Sequence, residues 1–304
     1  MYDVIIIGGG IAGETAAIYA ARKRMKFLLI ATRLGGQFLE SGEILNYPGI
    51  VKTTGAEFSS IMEEHLENNN IKPNEGEEVT GIKPAKKGFK VTTDQAEYYT
   101  CSVIIATGAS PKKLNVPGEA EFKNKGVAYC SICDGPLFAD KTIAIVGGGN
   151  SALEGVDFTH SLAKKIYVIN IMNEFTAHEY LIEKIQSYAN VAIIHNAETA
   201  EILGDKTVTG LRYKKNNEVH TIDVEGIIIE IGRTPNTQFL VGLVEMDEHG
   251  HINIDCQART SIDGIFAAGD CASGHEYQYI IAAGQGCMAL LKAARYLTTL
   301  RREE

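Results

Sequence analysis

One strongly patterned stretch occurs twice in this chain. A β-branched run, Val4 to Ile7, meets the turn Gly8-Gly9-Gly10-Ile11-Ala12-Gly13 and then a small-residue, helix-favouring stretch from Glu14 to Arg24. A second run, Thr142 to Val146, meets Gly147-Gly148-Gly149-Asn150-Ser151-Ala152 and a helical stretch toward Lys165. Each copy leads to a further apolar run, Phe27 to Ile30 and Ile166 to Ile169, so each reads as a strand, helix, strand unit. In a G-x-G-x-x-G turn the first glycine makes the bend and the second lets the backbone approach a pyrophosphate. The third lets helix and strand pack closely, and the helix N-terminus faces the phosphates. A lone turn of this kind is weak evidence, whereas two in matching context predict two dinucleotide-type folds.

The duplication extends further. Val103-Ile104-Ile105-Ala106-Thr107-Gly108 and Ile227-Ile228-Ile229-Glu230-Ile231-Gly232 each have the pattern of a buried strand ending on a glycine. The tail, Gly264 to Asp270 with a closing helix from about Tyr277 to Leu297, has no counterpart in the second unit and is assigned to the first. The predicted fold is α/β: two Rossmann-like, three-layer nucleotide-binding domains, the second inserted into the first. Residues 1–112 and 245–304 form the first domain and residues 113–244 the second. A chain of 304 residues gives each domain room for its own core.

Charge narrows the partners. The net charge of −9 repels phosphate backbones and anionic lipid, so neither nucleic acid nor a membrane is expected. No basic region precedes the first apolar stretch, and Glu14 ends it well short of the ~20 residues that span a bilayer, so a cytoplasmic chain is expected.

The two glycine loops differ in what surrounds them. In the first fold Gly269-Asp270 stands at a strand end before a helix, an arrangement suited to a polyol hydroxyl. In the second, the position that would carry an NAD-binding carboxylate is Asn170. The stretch from Ile166 to Glu183 has no Lys or Arg for a 2′-phosphate and holds Glu174, Glu179 and Glu183. NADPH is therefore disfavoured. A nucleotide site and a fold retained without its ligand both stay open for this loop.

Of six cysteines, only Cys130 and Cys133 form a close pair, in Tyr129-Cys130-Ser131-Ile132-Cys133-Asp134-Gly135. Zinc would need four ligands, and no second pair of cysteines or histidines accompanies this one. A purely structural disulfide is disfavoured in a cytosolic chain. A redox-active dithiol is the favoured alternative, since this spacing allows a short-loop disulfide and lowers one thiol's pKa. Asp134 is either a proton donor and acceptor for the departing thiolate or a solvated loop carboxylate.

Eight motifs occur in order along nearly the whole chain: the Gly8 to Gly13 loop, Gly35-Gly36-Gln37, Asn46-Tyr47-Pro48-Gly49, Ala106-Thr107-Gly108, the Cys130 to Gly135 segment, the Gly147 to Ala152 loop, Gly232-Arg233-Thr234-Pro235-Asn236 and Gly269-Asp270. With them the chain closely resembles the low-molecular-weight flavoprotein thioredoxin reductases. The resemblance implies an FAD-containing homodimer in which the flavin passes two electrons to a Cys130–Cys133 disulfide, and the dithiol reduces thioredoxin. It implies Cys133 as the thiol facing the flavin, Cys130 as the interchange thiol and Asp134 as the acid. It also implies an inserted domain that swings between flavin and thioredoxin. For FAD the matching positions are Gly8, Gly10, Ile11, Ala12 and Gly13 at the pyrophosphate. Gly35, Gly36, Gln37 and Asn46 match the ribityl and flavin region, with Thr107, Gly108, Gly269 and Asp270 at the strand ends and Gln278 at the final helix.

Two departures bear on the electron donor. Where NADPH-dependent members carry a His-Arg-Arg cluster and a further Arg, this chain has Asn170-Ile171-Met172 and Thr176. Beside the flavin it has Tyr277-Gln278-Tyr279, whose tyrosines either stack on an isoalloxazine face or pack at a helix start. This combination looks like the members that take electrons from reduced ferredoxin, and a related group uses a reduced deazaflavin. The intact second glycine loop keeps an NADH or weak NADPH site open. Competing functions are a flavin-dependent reductase or oxidase of small acceptors, and a redox-sensing flavoprotein without turnover. His249 and His251 read as a polar hairpin turn rather than a metal site, His275 is expected on the surface near the flavin-side helix, and hydrolase chemistry has no support.

Overall fold

The computed structural model describes residues 1–41, 43–274 and 276–303. The chain divides into two compact units, residues 1–110 with 234–304 and residues 111–233. The first unit opens with β1 (Tyr2–Gly9), α1 (Ile11–Arg22) and β2 (Phe27–Leu34). Val4, Ile5 and Ile6 are wholly buried, because a strand in the middle of a parallel sheet is covered on both faces and so shows no polar alternation. Val4 and Ile6 join the apolar layer under α1, while Ile5 and Ile7 join the opposite layer with Val103 and Ile105. Helix α2 (Gly55–Asn68) starts with a capping box: Thr54 Oγ1 accepts from the Glu57 N–H, and the Glu57 carboxylate accepts from the Thr54 N–H. Then come β3 (Asn74–Glu75), β4 (Val79–Pro84), β5 (Phe89–Thr93) and β6 (Glu97–Ile105). Strands β3-β2-β1-β6 are parallel, and β5 and β4 continue from the N-terminal half of β6 as an antiparallel meander.

The second unit repeats this plan. It contains β7 (Val127–Ala128), α3 (Ser131–Asp134), β8 (Thr142–Val146), α4 (Asn150–Thr159), β9 (Lys165–Ile169), α5 (Glu179–Gln186) and β10 (Val191–Ile194). An antiparallel meander of β11 (Glu198–Gly204), β12 (Val208–Lys215) and β13 (Glu218–Asp223) precedes β14 (Gly226–Ile229). The parallel sheet runs β7-β14-β8-β9-β10.

The chain re-enters the first unit at 233/234, earlier than the 244/245 placed from the sequence pattern. The physical reason is that Leu240 and Val244 are buried in the first unit's apolar layer with Val103 and Ile265. Strand β15 (Ile265–Ala267) pairs with the C-terminal half of β6 to give a seven-stranded sheet among the described residues. Helix α6 (Tyr279–Glu303) starts two residues after the expected Tyr277 and lies against α1. Small residues make that approach possible: a Cβ on Gly286 would stand 2.0 Å from the Ala12 carbonyl oxygen. Among the described residues no helix is long and apolar enough to cross a membrane.

Candidate active site

The first glycine loop shows a separate duty for each glycine. Gly8 has φ +121°, and a Cβ there would lie 2.1 Å from the Ala106 carbonyl oxygen; at Gly13 a Cβ would lie 1.9 Å from the Gly8 oxygen. Gly10 is different, since the nearest atom to a Cβ would be 3.9 Å away. The turn therefore bends at Gly8, packs at Gly13 and leaves Gly10 open to a ligand, which is the arrangement a pyrophosphate needs. A cleft of about 480 Å³ opens there, lined by Gly8, Gly10, Ile11 and Ala12, within the ~300–1,000 Å³ usual for cofactor sites. Gly36 and Gln37 follow β2, Thr107 and Gly108 follow β6, and Gly269 and Asp270 follow β15; all six line the same cleft. It thus sits at the carboxyl ends of parallel strands, the ligand end of such sheets. These residues fit a dinucleotide.

Not every expected residue reaches the cleft wall. Gly13 serves packing, and Gly35, at φ +83°, donates its N–H to Glu14 Oε1 at 3.3 Å. Glu14 is fully buried, and burial above all pushes its carboxyl up to about 8, against the pull of the Gly35 N–H. Asn46 is exposed and donates to Gln278 Oε1 at 3.2 Å. Tyr279 lines the cleft, its hydroxyl 2.6 Å from Ser41 Oγ and its ring edge-on to Phe38. The Tyr277 hydroxyl instead lies 2.8 Å from His251 Nε2, and His251 Nδ1 is 3.2 Å from Asp247 Oδ2. His249 and His251 lie in the expected turn, where the Asp247 N–H donates to the His251 carbonyl, but His251 is buried, 2% exposed, on the inward side of the turn whose outward residue is His249. His275 lies outside the described residues. Thr32, Arg33 and Glu77 also line the cleft without any motif to mark them, and so does Asn236, the last residue of the Gly232 to Asn236 motif.

In the second unit Cys130 and Cys133 are joined as a disulfide, with Cα atoms 5.3 Å apart. Cys130 caps α3, and the Cys133 N–H donates to Cys130 Sγ at 3.2 Å. Asp134 ends this short helix half-buried; burial first, and the Glu230 carboxylate second, push its carboxyl up to about 6. A group titrating there can take or give a proton near neutrality. Ile132 is 50% exposed, and Leu137 and Phe158 are also exposed, the Phe158 ring within 3.1 Å of where a Cβ on Gly135 would stand.

The second glycine loop has the same bend and the same opening. Gly147 has φ +147° and a Cβ there would lie 2.2 Å from the Glu230 carbonyl oxygen, while at Gly149 the nearest atom would be 3.8 Å away. The end of β9 differs. Asn170, 2% exposed, donates through Nδ2 to the Glu174 carbonyl and accepts at Oδ1 from the Met172 N–H, and its Nδ2 lies 3.1 Å from His195 Nδ1. Its Oδ1 would stand 2.3 Å from a Cβ on Gly148, and the Thr176 N–H donates to the Gly148 carbonyl at 2.9 Å.

The chain is similar to known proteins over nearly all its length. It is 41% identical over 299 residues to the Staphylococcus aureus alkyl hydroperoxide reductase F protein, covering 97% of this chain and 59% of that protein. Thus it spans well under two thirds of the curated relatives it matches. Thioredoxin reductase from Streptococcus pyogenes has 35% identity and a TM-score of 0.92, with 98% of this chain and 99% of that one covered. A ferredoxin-flavin thioredoxin reductase from Clostridium acetobutylicum has 34% identity and a TM-score of 0.56, with coverages of 99% and 98%. The profile described as pyridine nucleotide-disulphide oxidoreductase matches residues 2–289. With two nucleotide-binding folds and a C-x-x-C disulfide, the chain belongs to the pyridine nucleotide-disulphide oxidoreductase family, a membership that implies FAD.

Proposed function

We propose that this protein is a thioredoxin-disulfide reductase that uses FAD and draws electrons from reduced ferredoxin, a reduced deazaflavin or NADH in preference to NADPH. The observation that carries this reading is the Cys130–Cys133 disulfide with a half-buried carboxyl, Asp134, titrating beside it near neutrality. FAD, once bound, supplies the electron pair that opens the disulfide. The Cys130 thiolate then attacks a thioredoxin sulfur, and a mixed disulfide replaces the thioredoxin bond. Asp134 gives its proton to the departing thioredoxin thiolate. The Cys133 thiolate next attacks Cys130, the Cys130–Cys133 bond reforms, and the second thioredoxin sulfur leaves to take up a proton; two electrons and two protons have then been delivered. The exposed apolar side chains of Ile132, Leu137 and Phe158 suit a protein acceptor.

Within this reading Gly8, Gly10, Ile11 and Ala12 receive the FAD pyrophosphate, and Gly13 keeps the turn packed behind them. Gly36, Gln37, Thr107, Gly108, Gly269 and Asp270 bound the rest of the cofactor, with Tyr279 in the cleft wall. Gly35, Asn46, Tyr277 and Gln278 support that wall from behind through the contacts described above. The preference against NADPH is supported by Asn170, whose side chain is spent on its own loop where a ribose partner would stand. A homodimer working in the cytoplasm completes the proposal by likeness to thioredoxin reductases. The likeness to the alkyl hydroperoxide reductase F protein favours a second acceptor, a partner in alkyl hydroperoxide reduction.

Exchanging Cys133 for Ser tests the assignment. Reduction of thioredoxin should fall by about 10³-fold or more while the flavin still becomes reduced. Turnover that survives Cys133→Ser would make the dithiol incidental and favour a reductase of small acceptors, and no turnover with any donor would favour a redox sensor. Anaerobic stopped-flow mixing with NADPH, NADH, reduced ferredoxin and reduced deazaflavin identifies the donor. Rapid bleaching by micromolar NADPH overturns the stated preference.

A further inference from the structure

We propose that Glu230 is the positioning residue of the redox loop: its carboxylate holds Ser131 in place between the two cysteines, and its charge, set against the same four-residue helix that ends at Asp134, helps that acid keep the proton it donates. The inference rests on the reading of Cys130–Cys133 as a disulfide that opens and closes in turnover.

Glu230 follows the four buried residues of β14, at the strand end under which Gly147 turns. A half-buried carboxylate at such a place needs donors. Glu230 Oε1 accepts from the Ser131 N–H at 2.9 Å and from the Ser131 hydroxyl at 3.0 Å. Ser131 is 2% exposed, and its other side is closed by α4, where a Cβ on Gly155 would stand 2.2 Å from Ser131 Oγ. The first residue of α3 is therefore clamped from two directions, and the sulfur that caps this helix is its immediate neighbour.

The internal duplication gives an independent control. The Gly8 turn meets the carbonyl of Ala106 as the Gly147 turn meets that of Glu230, so the two positions correspond. The fold needs only an alanine there, and a carboxylate stands in the unit that carries the dithiol. The charged groups acting on Glu230 are Arg233, just beyond β14, which favours its ionised form, and Glu154 on α4, which opposes it. Burial pushes the Glu230 carboxyl up and the two Ser131 donors pull it back. Asp134 in turn is raised by burial and then by the Glu230 charge.

The test uses the flavin-loaded enzyme with its disulfide pre-reduced, and follows single-turnover reduction of thioredoxin from pH 5.5 to 9. Glu230→Gln keeps an oxygen for Ser131 but removes the charge. Asp134 should then lose its proton more readily, the alkaline limb of the profile should move to lower pH, and the rate at pH 8 should fall about threefold, the effect of half a pH unit. Ser131→Ala keeps the charge and removes one donor; it should lower the rate at every pH without moving the limb. A Glu230→Gln profile that superimposes on wild type overturns the inference, and so does a limb that moves equally in Ser131→Ala. If Glu230→Gln does not fold, a limb held in place in Ser131→Ala with a reduced rate supports the clamp, and a wild-type rate there rejects it. The two claims fail separately: wild-type protein whose disulfide never cycles rejects the enzyme assignment, whereas normal cycling with an unmoved Glu230→Gln limb rejects this inference alone.

Discussion

The two glycine loops share a bend and differ in what lies beyond it. At the first, Gly10 faces a cleft of about 480 Å³ whose walls are strand-end glycines, Gln37 and Asp270. At the second, Asn170 and Thr176 bind the loop's neighbourhood with the chain's own hydrogen bonds. Acidic residues beside the two turns are placed in a complementary way: the buried Glu14 in the first unit corresponds to the wholly buried Leu153 in the second, and Ala106 in the first corresponds to the half-buried Glu230 in the second. A glycine turn thus specifies the local backbone, and the side chains just past the strand ends decide whether a ligand, a redox loop or the chain itself occupies the space.

The largest expected effect separates the loops directly. Gly8→Ala meets both a positive φ and a 2.1 Å contact, and should leave the purified protein nearly free of flavin by absorbance at about 450 nm. Gly147→Ala meets the same obstacles in the other unit, and should keep the flavin while lowering that unit's melting transition. Equal flavin loss in both variants would break the comparison. A smaller effect sharpens it: Asn170→Asp cannot donate to the Glu174 carbonyl and should cost about 1–3 kcal/mol in denaturant melts. If that variant also binds NADH tenfold more tightly, a missing ribose carboxylate, and not closure by the chain, explains the second loop.

The smallest effect concerns Glu14. Its carboxyl, pushed up to about 8 in the folded protein against 4.5 for the free side chain, holds a proton that the unfolded chain releases. Its contribution is therefore complete below pH 4.5, shrinks as pH rises and is gone above about 8. Glu14→Gln stays neutral throughout, so its melting temperature should exceed that of wild type by a few degrees at pH 8.5 and match it at pH 4.5. Parallel melting curves across that range would show that Glu14 ionises without cost.

Much of the architecture was legible because parallel strands buried on both faces leave unbroken runs such as Val103 to Ile105 and Ile227 to Ile229, and because the dithiol has its own spacing. Long-range satisfaction of polar groups was not. Nothing near Glu14 announces a buried acid, and nothing near Glu230 announces Ser131 as its partner 99 residues earlier. His251 sits in a polar turn where only alternation with His249 hinted at an inward side chain. The return of the chain at 233/234 was hidden for a related reason: Leu240 and Val244 declare their layer only through partners far away in sequence.

The close crossing at Gly286 makes the last helix a mechanical part of the phosphate turn. Backbone there rests on backbone at Ala12, the second residue of α1, with no side chain between to absorb a displacement. Trimming the chain just ahead of Gly286, or wedging in even a methyl group, would therefore loosen the grip on a nucleotide from behind, by displacing Ala12 at the cleft wall.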